Sequence, residues 1–129
     1  QGSAWVIDCG TAITLDFLSA NGQHLGGLIC PGLALMKQAL AEGAEQLTFS
    51  ASTFEAGLAN HTEAAIHGGT LFAACGLIEK TLSLQGRVEK VFLTGGDAQL
   101  IATQLNMTTI INPNLVLEGL AAISGKAWL

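Results

Sequence analysis

The sequence predicts an α/β domain built on a mixed sheet, with three antiparallel strands at its N-terminal end and helices flanking the sheet. Two apolar runs follow one another in the first 19 residues, and a turn signal, Asn21-Gly22, comes directly after the second. Asn-Gly favours a type I′ hairpin turn, because both central residues of that turn take positive φ. Further along, helix-like and strand-like periods alternate. We therefore predict a single domain over residues 1–129.

The first three strands are predicted from apolar runs and from alternation. Residues 4–8 form a buried strand, and residues 13–19 alternate between apolar and polar side chains. The strand that returns after the hairpin covers residues 23–30. Its Gly26-Gly27 pair indicates a bulge or a close approach of another backbone.

The rest of the chain alternates between helices and short strands. Pro31-Gly32 ends the third strand. Residues 43–60 lack a clear period and are predicted to form an exposed loop that covers a site. The glycines in the long second helix weaken it by about 1 kcal/mol each and indicate close helix packing, for example across a dimer interface. The predicted elements are helix 33–41, helix 62–84, strand 91–94, helix 98–105, strand 108–111 and helix 116–128.

Composition limits the possible partners. Charged residues are 12% of the chain, below the typical value of about 25%, so we expect apolar surface that another domain or subunit covers. The net charge of −5 argues against nonspecific binding to nucleic acid. No apolar run reaches the ~18 residues of a membrane span. The three widely spaced cysteines indicate reduced thiols in a cytoplasmic protein rather than a zinc site.

The first candidate site follows the first strand. Asp8 ends an apolar run and is followed by Gly10 and Thr11. A carboxylate at that position either binds a cation beside a polyphosphate or caps its own turn. Glycine lets the backbone approach a phosphate closely, and Thr11 offers a hydroxyl and an N–H to a phosphate oxygen.

The second candidate site follows the strand over residues 91–94. Gly95 and Gly96 would let a nucleotide approach the main chain, and the N-terminus of the next helix favours anions. Asp97 is predicted to be the N-cap of that helix rather than a catalytic base.

The start of the long helix is the third candidate. Asn60 and Glu63 have the spacing of a capping box. Thr62 would then lie in the first turn, where the helix dipole attracts a carboxylate, so Thr62 is a candidate contact for an acidic substrate. His61 and His67 lie six residues apart and do not share a helix face, so no metal pair is predicted there.

Taken together, these motifs carry a family resemblance. The first loop resembles the second phosphate-binding loop of actin-like kinases, in which Asp-x-Gly-Thr recurs. The chain as a whole resembles the C-terminal half of type III pantothenate kinase, which implies a ribonuclease-H-like (actin-like ATPase) fold. The matching pieces come in family order and are Asp8-Cys9-Gly10-Thr11-Ala12, His24-Leu25-Gly26-Gly27, Pro31-Gly32 with Met36, Thr62-Glu63-Ala64-Ala65-Ile66 with Gly68, Leu93-Thr94-Gly95-Gly96-Asp97-Ala98 and Leu115-Val116-Leu117-Glu118-Gly119-Leu120.

The resemblance implies the phosphorylation of pantothenate by ATP, which is the first step of coenzyme A biosynthesis. It implies Mg²⁺ and a monovalent cation, K⁺ or NH₄⁺, as cofactors, and a cytoplasmic homodimer as the assembly. The implied contacts are Gly10, Thr11, Gly95 and Gly96 for ATP, Thr62 for pantothenate and Asp8 for the monovalent cation.

The resemblance also implies that an N-terminal domain is absent from these 129 residues. In the family, that domain carries an Asp-x-Gly-Asn-Ser/Thr phosphate loop and a Gly-x-Asp-Arg motif whose Asp is the base, and neither motif occurs here. We therefore expect no catalytic residue in this chain and no activity from it alone, because phosphoryl transfer depends on positioning and on charge neutralisation. Two alternatives stay open: a noncatalytic dimerisation or regulatory module of the same fold, and another actin-like small-molecule kinase.

Overall fold

A computed structural model of the chain describes residues 2–42, 54–86, 88 and 90–124. Most of the predicted loop over 43–60 and the end of the last predicted helix, residues 125–128, lie outside these ranges. The elements in chain order are β1 (Ala4–Cys9), β2 (Ala12–Leu18), β3 (His24–Pro31), α1 (Leu33–Glu42), α2 (Thr62–Ser83), β4 (Lys90–Thr94), α3 (Ala98–Thr103), β5 (Ile110–Ile111) and α4 (Leu115–Ser124).

The five strands form one mixed sheet in the order β3-β2-β1-β4-β5. β2 pairs antiparallel with both β1 and β3, whereas β4 pairs parallel with both β1 and β5. The predicted mixed sheet with three antiparallel N-terminal strands is therefore confirmed. Because β1, β4 and β5 run in the same direction, their C-terminal ends lie at one edge of the sheet, which is where α/β folds commonly place ligands.

The hairpin between β2 and β3 is confirmed, but its turn differs from the prediction. The N–H of Ser19 donates to the carbonyl of Gln23 at 2.9 Å, and the N–H of Gly22 donates to the carbonyl of Ser19 at 2.9 Å. The loop therefore has three residues instead of two, and Gly22 supplies the positive φ, +84°, that a three-residue hairpin needs. The predicted irregularity at Gly26 is also present, with φ +143° and a register shift opposite it.

The core lies on one face of the sheet, where α2 covers it. Alternate residues of β1 and β2 are buried, as their sequence period predicts. α2 contributes Leu71 and Ile78, which are 1% and 0% exposed. Full burial of such a side chain stabilises the fold by about 1.5–3 kcal/mol.

Two elements of the C-terminal part, α3 and β5, are shorter than the sequence predicts. Gln104 donates its N–H to Ile101 at 3.0 Å, an i to i−3 bond that tightens the last turn, so α3 ends at Thr103 rather than at residue 105. β5 has only two residues aligned with β4. In the described ranges, no helix is long and apolar enough to cross a membrane.

Candidate functional site

The loop at the end of β1 holds the first group of candidate residues. Asp8 is partly buried and aligns with Thr14 on β2 and Thr94 on β4. The chain then turns at Gly10, whose N–H donates to the carbonyl of Ala12 at 3.1 Å. Thr11 stands exposed at the tip of this turn. The turn thus keeps a carboxylate and an exposed threonine within three residues of each other.

The turn between β4 and α3 packs directly onto the end of β1. Gly95 has φ +94°, and a Cβ at this position would lie 2.6 Å from the carbonyl carbon of Cys9 and 2.7 Å from Asp8 Oδ1. The N–H of Asp97 also donates to the carbonyl of Cys9 at 3.0 Å. Gly96 is exposed beside them, with open space around its Cα. More than 80 positions separate these residues in the sequence, and the parallel pairing of β1 and β4 brings them together.

A third segment, Pro31-Gly32, closes the loop from the other side. The N–H of Gly32 donates to the carbonyl of Thr11 at 2.8 Å, and a Cβ on Gly32 would collide with the carbonyl oxygens of Gly10 and Thr11. From the sequence, this pair predicts the end of β3, and it is one of the pieces that carry the family resemblance. The Pro-Gly signal marks a break in structure, but it does not show which backbone approaches the glycine.

The helix caps correct one prediction and refine another. The N-cap of α2 is His61, not Asn60, and no side chain caps the helix. The carbonyl of His61 accepts the N–H of Ala65 at 3.0 Å, so the helix begins one residue later than a capping box of Asn60 and Glu63 requires, and that prediction is wrong. Asp97 does occupy the predicted N-cap position of α3, although its side chain makes no capping hydrogen bond.

Thr62, the first residue of α2, lies in a groove of about 610 Å³ between α1 and α2. The groove is almost entirely apolar. Thr70 also faces it, but its hydroxyl donates to the carbonyl of Ile66 at 2.8 Å. The lining residues are Pro31, Leu35, Met36, Ala39, Leu40, Thr62, Ala65, Ile66, Gly69, Thr70 and Ala73.

The groove adjoins the loop at the end of β1 through Pro31-Gly32. Pro31 lines the groove, and the next residue, Gly32, is bonded to Thr11. The structure therefore brings Asp8, Gly10, Thr11 and Gly95 together at one point. Thr62 lies outside this group, in the adjoining groove.

Electrostatics at this point favour cations over thiolate chemistry. Burial, followed by the charges of Asp8 and Asp97, raises the pKa of the Cys9 thiol to about 12. Cys9 therefore stays protonated and is a poor nucleophile, because the thiolate is the reactive form. Asp8 offers a carboxylate oxygen, the donor type that hard cations prefer. Within the described ranges no cluster of three or more acidic, histidine or cysteine side chains forms, so a cation here would also need backbone, ligand or water oxygens.

Comparison with known sequences gives one family. A family model for type III pantothenate kinase matches residues 1–83. A type III pantothenate kinase of Nitrosococcus oceani is 42% identical over 125 residues, which cover 92% of this chain and 47% of that protein. A relative of the same name from Janthinobacterium sp. is 41% identical over 131 residues, covering 96% and 50%. The chain thus spans about half the length of the curated relatives it matches.

Comparison with solved structures gives the fold. A Campylobacter jejuni protein, described as a Baf family transcriptional activator, superposes with a TM-score of 0.73 at 29% identity, over 95% of this chain and 57% of that chain. The activator of 2-hydroxyisocaproyl-CoA dehydratase from Clostridium difficile, solved with bound ADPNP, has a TM-score of 0.51 at 14% identity, over 85% and 54%. The predicted ribonuclease-H-like, actin-like ATPase fold is confirmed.

Proposed function

Because this chain belongs to the type III pantothenate kinase family, we propose that it forms the C-terminal half of an enzyme that transfers the γ-phosphate of ATP to pantothenate. One observation carries the proposal. The Gly10-Thr11 turn and Gly95 meet on the end of β1, next to an apolar groove that contains Thr62.

The nucleotide would lie over the end of β1. Gly95 and Gly96 leave the main chain open to a phosphate, and the exposed Thr11 hydroxyl can donate to a phosphate oxygen. Gly10 belongs to the turn that carries Thr11, and its N–H donates to the carbonyl of Ala12. Mg²⁺ and a monovalent cation, K⁺ or NH₄⁺, would neutralise phosphate charge when bound, and Asp8 is the carboxylate available to the monovalent cation.

Pantothenate would lie in the groove between α1 and α2. The N-terminus of α2 carries partial positive charge and is not capped by a side chain, so it suits a carboxylate beside Thr62. The apolar walls suit the dimethyl-substituted carbon of pantothenate, and Leu35 and Met36 belong to one of these walls. Thr62 is the proposed pantothenate contact.

The catalytic base and the other phosphate loop are proposed to lie in the N-terminal domain of the full-length enzyme. The chain spans about half of its relatives, and its sequence lacks Gly-x-Asp-Arg. We also propose a homodimer that forms through the exposed side of α2, where Phe72 is 47% exposed.

A noncatalytic dimerisation or regulatory module of the same fold is the second candidate. The exposed apolar side of α2 favours it, because such a surface serves assembly with or without catalysis. The sequence of the natural protein before the residue numbered 1 here distinguishes the two. A Gly-x-Asp-Arg motif there would favour the kinase, and its absence would favour the module. The remaining alternative, another actin-like kinase, is tested by an activity assay in which acetate or a hexose replaces pantothenate.

The test combines binding and turnover. NMR amide shifts of the ¹⁵N-labelled chain are followed as pantothenate or ATP with Mg²⁺ and K⁺ is added. We expect pantothenate to move the amides at the start of α2 and ATP to move those of Gly95 and Gly96. Thr62→Val removes one hydroxyl bond to a charged group and should weaken pantothenate binding by about tenfold or more.

Thr70→Val is the matched control, because the Thr70 hydroxyl is already bonded within α2. It should leave the affinity for pantothenate within about twofold of the wild type. Turnover is then assayed with the chain alone and with the N-terminal half of the Nitrosococcus oceani relative supplied in trans. Turnover by the chain alone would contradict the proposal that the catalytic base lies in the N-terminal domain. Amide shift changes confined to other elements would contradict the proposed binding sites.

A further inference from the structure

One hydrogen bond joins the two helices that form the walls of the groove. Lys37 on α1 and His67 on α2 approach each other, with 3.3 Å between Lys37 Nζ and His67 Nδ1, in a partly buried position. A lysine ammonium can only donate, so Nδ1 must accept and the ring proton must be on Nε2. The bond therefore exists only while His67 is neutral.

The other rings and titratable groups near His67 belong to α2 and to residues 54–61, which precede it. The Phe54 ring lies 5.9 Å from the His67 ring and 5.5 Å from the ring of His61, the N-cap of α2. Glu55 follows Phe54 along the chain, and Glu63 precedes His67 by one turn of α2. Burial lowers the pKa of His67, and the positive charge of Lys37 lowers it further.

The two ends of α1 are held differently. At its N-terminal end, Leu33 is buried and Gly32 is bonded to Thr11. Towards its C-terminal end, the residues from 38 onwards are exposed or only partly buried. Lys37 is the fifth of the ten residues of α1, so its bond to His67 acts at the middle of the helix, just before the less buried half that carries Ala39 and Leu40 of the groove wall.

We propose that the contact between Lys37 and His67 is an acid-sensitive link that holds the middle of α1 against α2 and sets the width of the groove. When a solvent proton binds His67 Nδ1, the lone pair that accepted from Lys37 is lost. Two cations then face each other where a hydrogen bond stood, and α1 moves away from α2. The link holds the groove at the width seen in this structure at neutral pH, and the groove widens in acid.

The sign of the pH effect follows from the lowered pKa. The unfolded chain, with an ordinary histidine pKa of 6.5, binds its proton before the folded chain does. The stability contributed by neutral His67 is therefore complete above pH 6.5 and is lost as the pH falls from there through the lower pKa of the folded state.

Thermal unfolding at pH 7.5 and 5.0 tests the link. His67→Gln cannot be protonated in this range, so it removes the titration on which the link depends. On acidification, the wild-type Tm should fall by about 3 °C more than the Tm of this variant. His24→Gln is the control, because His24 is exposed on β3 and lies outside the groove. Since it loses a pairing with Asp16 that protonation strengthens, its Tm should fall on acidification by at least as much as the wild-type Tm.

NMR of the wild-type chain measures the link directly and does not depend on any variant folding. The His67 ring nitrogens should report the Nε2–H tautomer at neutral pH. The methyl groups of Met36 and Ile66, on opposite walls of the groove, should titrate together with His67. In Lys37→Met, the His67 pKa should rise towards its ordinary value.

A wild-type acid loss that His67→Gln retains in full would overturn the proposal, and so would groove methyl groups that do not follow the His67 titration. These measurements use the 129-residue chain without ATP or pantothenate. Their failure would leave the proposed kinase function standing, and failure of the kinase function would leave the link standing.

Discussion

At Gly95, both the space and the backbone conformation require glycine. Its φ of +94° is strained for any residue with a Cβ, and that Cβ would lie 2.6 Å from the carbonyl carbon of Cys9. We expect Gly95→Ala to lower the free energy of unfolding by about 2 kcal/mol or more, because strain and collision add. Urea unfolding monitored by circular dichroism measures this loss.

Gly96→Ala is the control for that experiment. Gly96 is exposed, and a Cβ there would meet nothing within 4 Å. This variant should unfold within about 0.5 kcal/mol of the wild type. Equal urea midpoints for the two variants would show that the turn between β4 and α3 does not pack on β1 as described.

Single residues show where reading the sequence succeeds and where it fails. The pattern of Asp8, Gly10 and Thr11 was readable because a strand end and a turn are local features. The contact of Gly95 with Cys9 depends on the pairing of two strands that are distant in sequence, and no local signal contains it. The predicted capping box failed for another reason: Asn60 has the right residue type, but the N-cap of α2 is one position later, at His61.

Among the elements, α2 contains two adjacent glycines with different surroundings. A Cβ on Gly68 would lie 2.8 Å from the carbonyl oxygen of Gly57, whereas a Cβ on Gly69 would meet nothing within 4 Å. We expect Gly68→Ala to destabilise the chain, because the backbone at Gly57 must move. Gly69→Ala should stabilise it by about 0.5–1 kcal/mol, because alanine is the better helix former.

Chemical denaturation of the two variants measures both the expected loss and the expected gain in the free energy of unfolding. The pair shares one helix and one substitution, so differences in the unfolded state largely cancel. A stabilising Gly68→Ala would show that the segment around Gly57 does not pack against α2. A destabilising Gly69→Ala at the lowest protein concentration would show that something else in this chain covers that position.

Elements with a clear period were predictable, and those set by tertiary pairing were not. The alternation in β1 and β2 and the long period of α2 gave their positions to within a residue or so. β5 was predicted with four residues and has two, because its length is set by how far it lies beside β4. The hairpin loop has three residues instead of two. Gly22 supplies the one positive φ that a three-residue loop requires.

At the scale of the whole molecule, little charge in the sequence corresponds to much apolar surface in the fold. Ile29 on the edge strand β3 is 77% exposed, and Ile123 on α4 is 87% exposed. Composition predicted such surface but not its position, because position depends on which side of each element the core uses. That another domain or subunit covers this surface stays a prediction, in a chain that spans about half of its relatives.

The proposed homodimer is testable on the exposed side of α2. Phe72 is 47% exposed there, and Gly76, one turn later, leaves room for a second helix to approach. We expect sedimentation velocity to show a dimer at micromolar concentrations. Phe72→Glu should weaken association by about 100-fold or more, because it would bury an unpaired charge in the interface.

Leu84→Glu is the matched control for the dimer, since Leu84 is also an exposed apolar residue but lies just beyond the end of α2. The same charge placed there should leave the dimer intact. If both variants dissociate, a general effect of added charge explains the loss, and the interface is not at Phe72. If the wild-type chain sediments as a monomer at every concentration, it does not dimerise through α2.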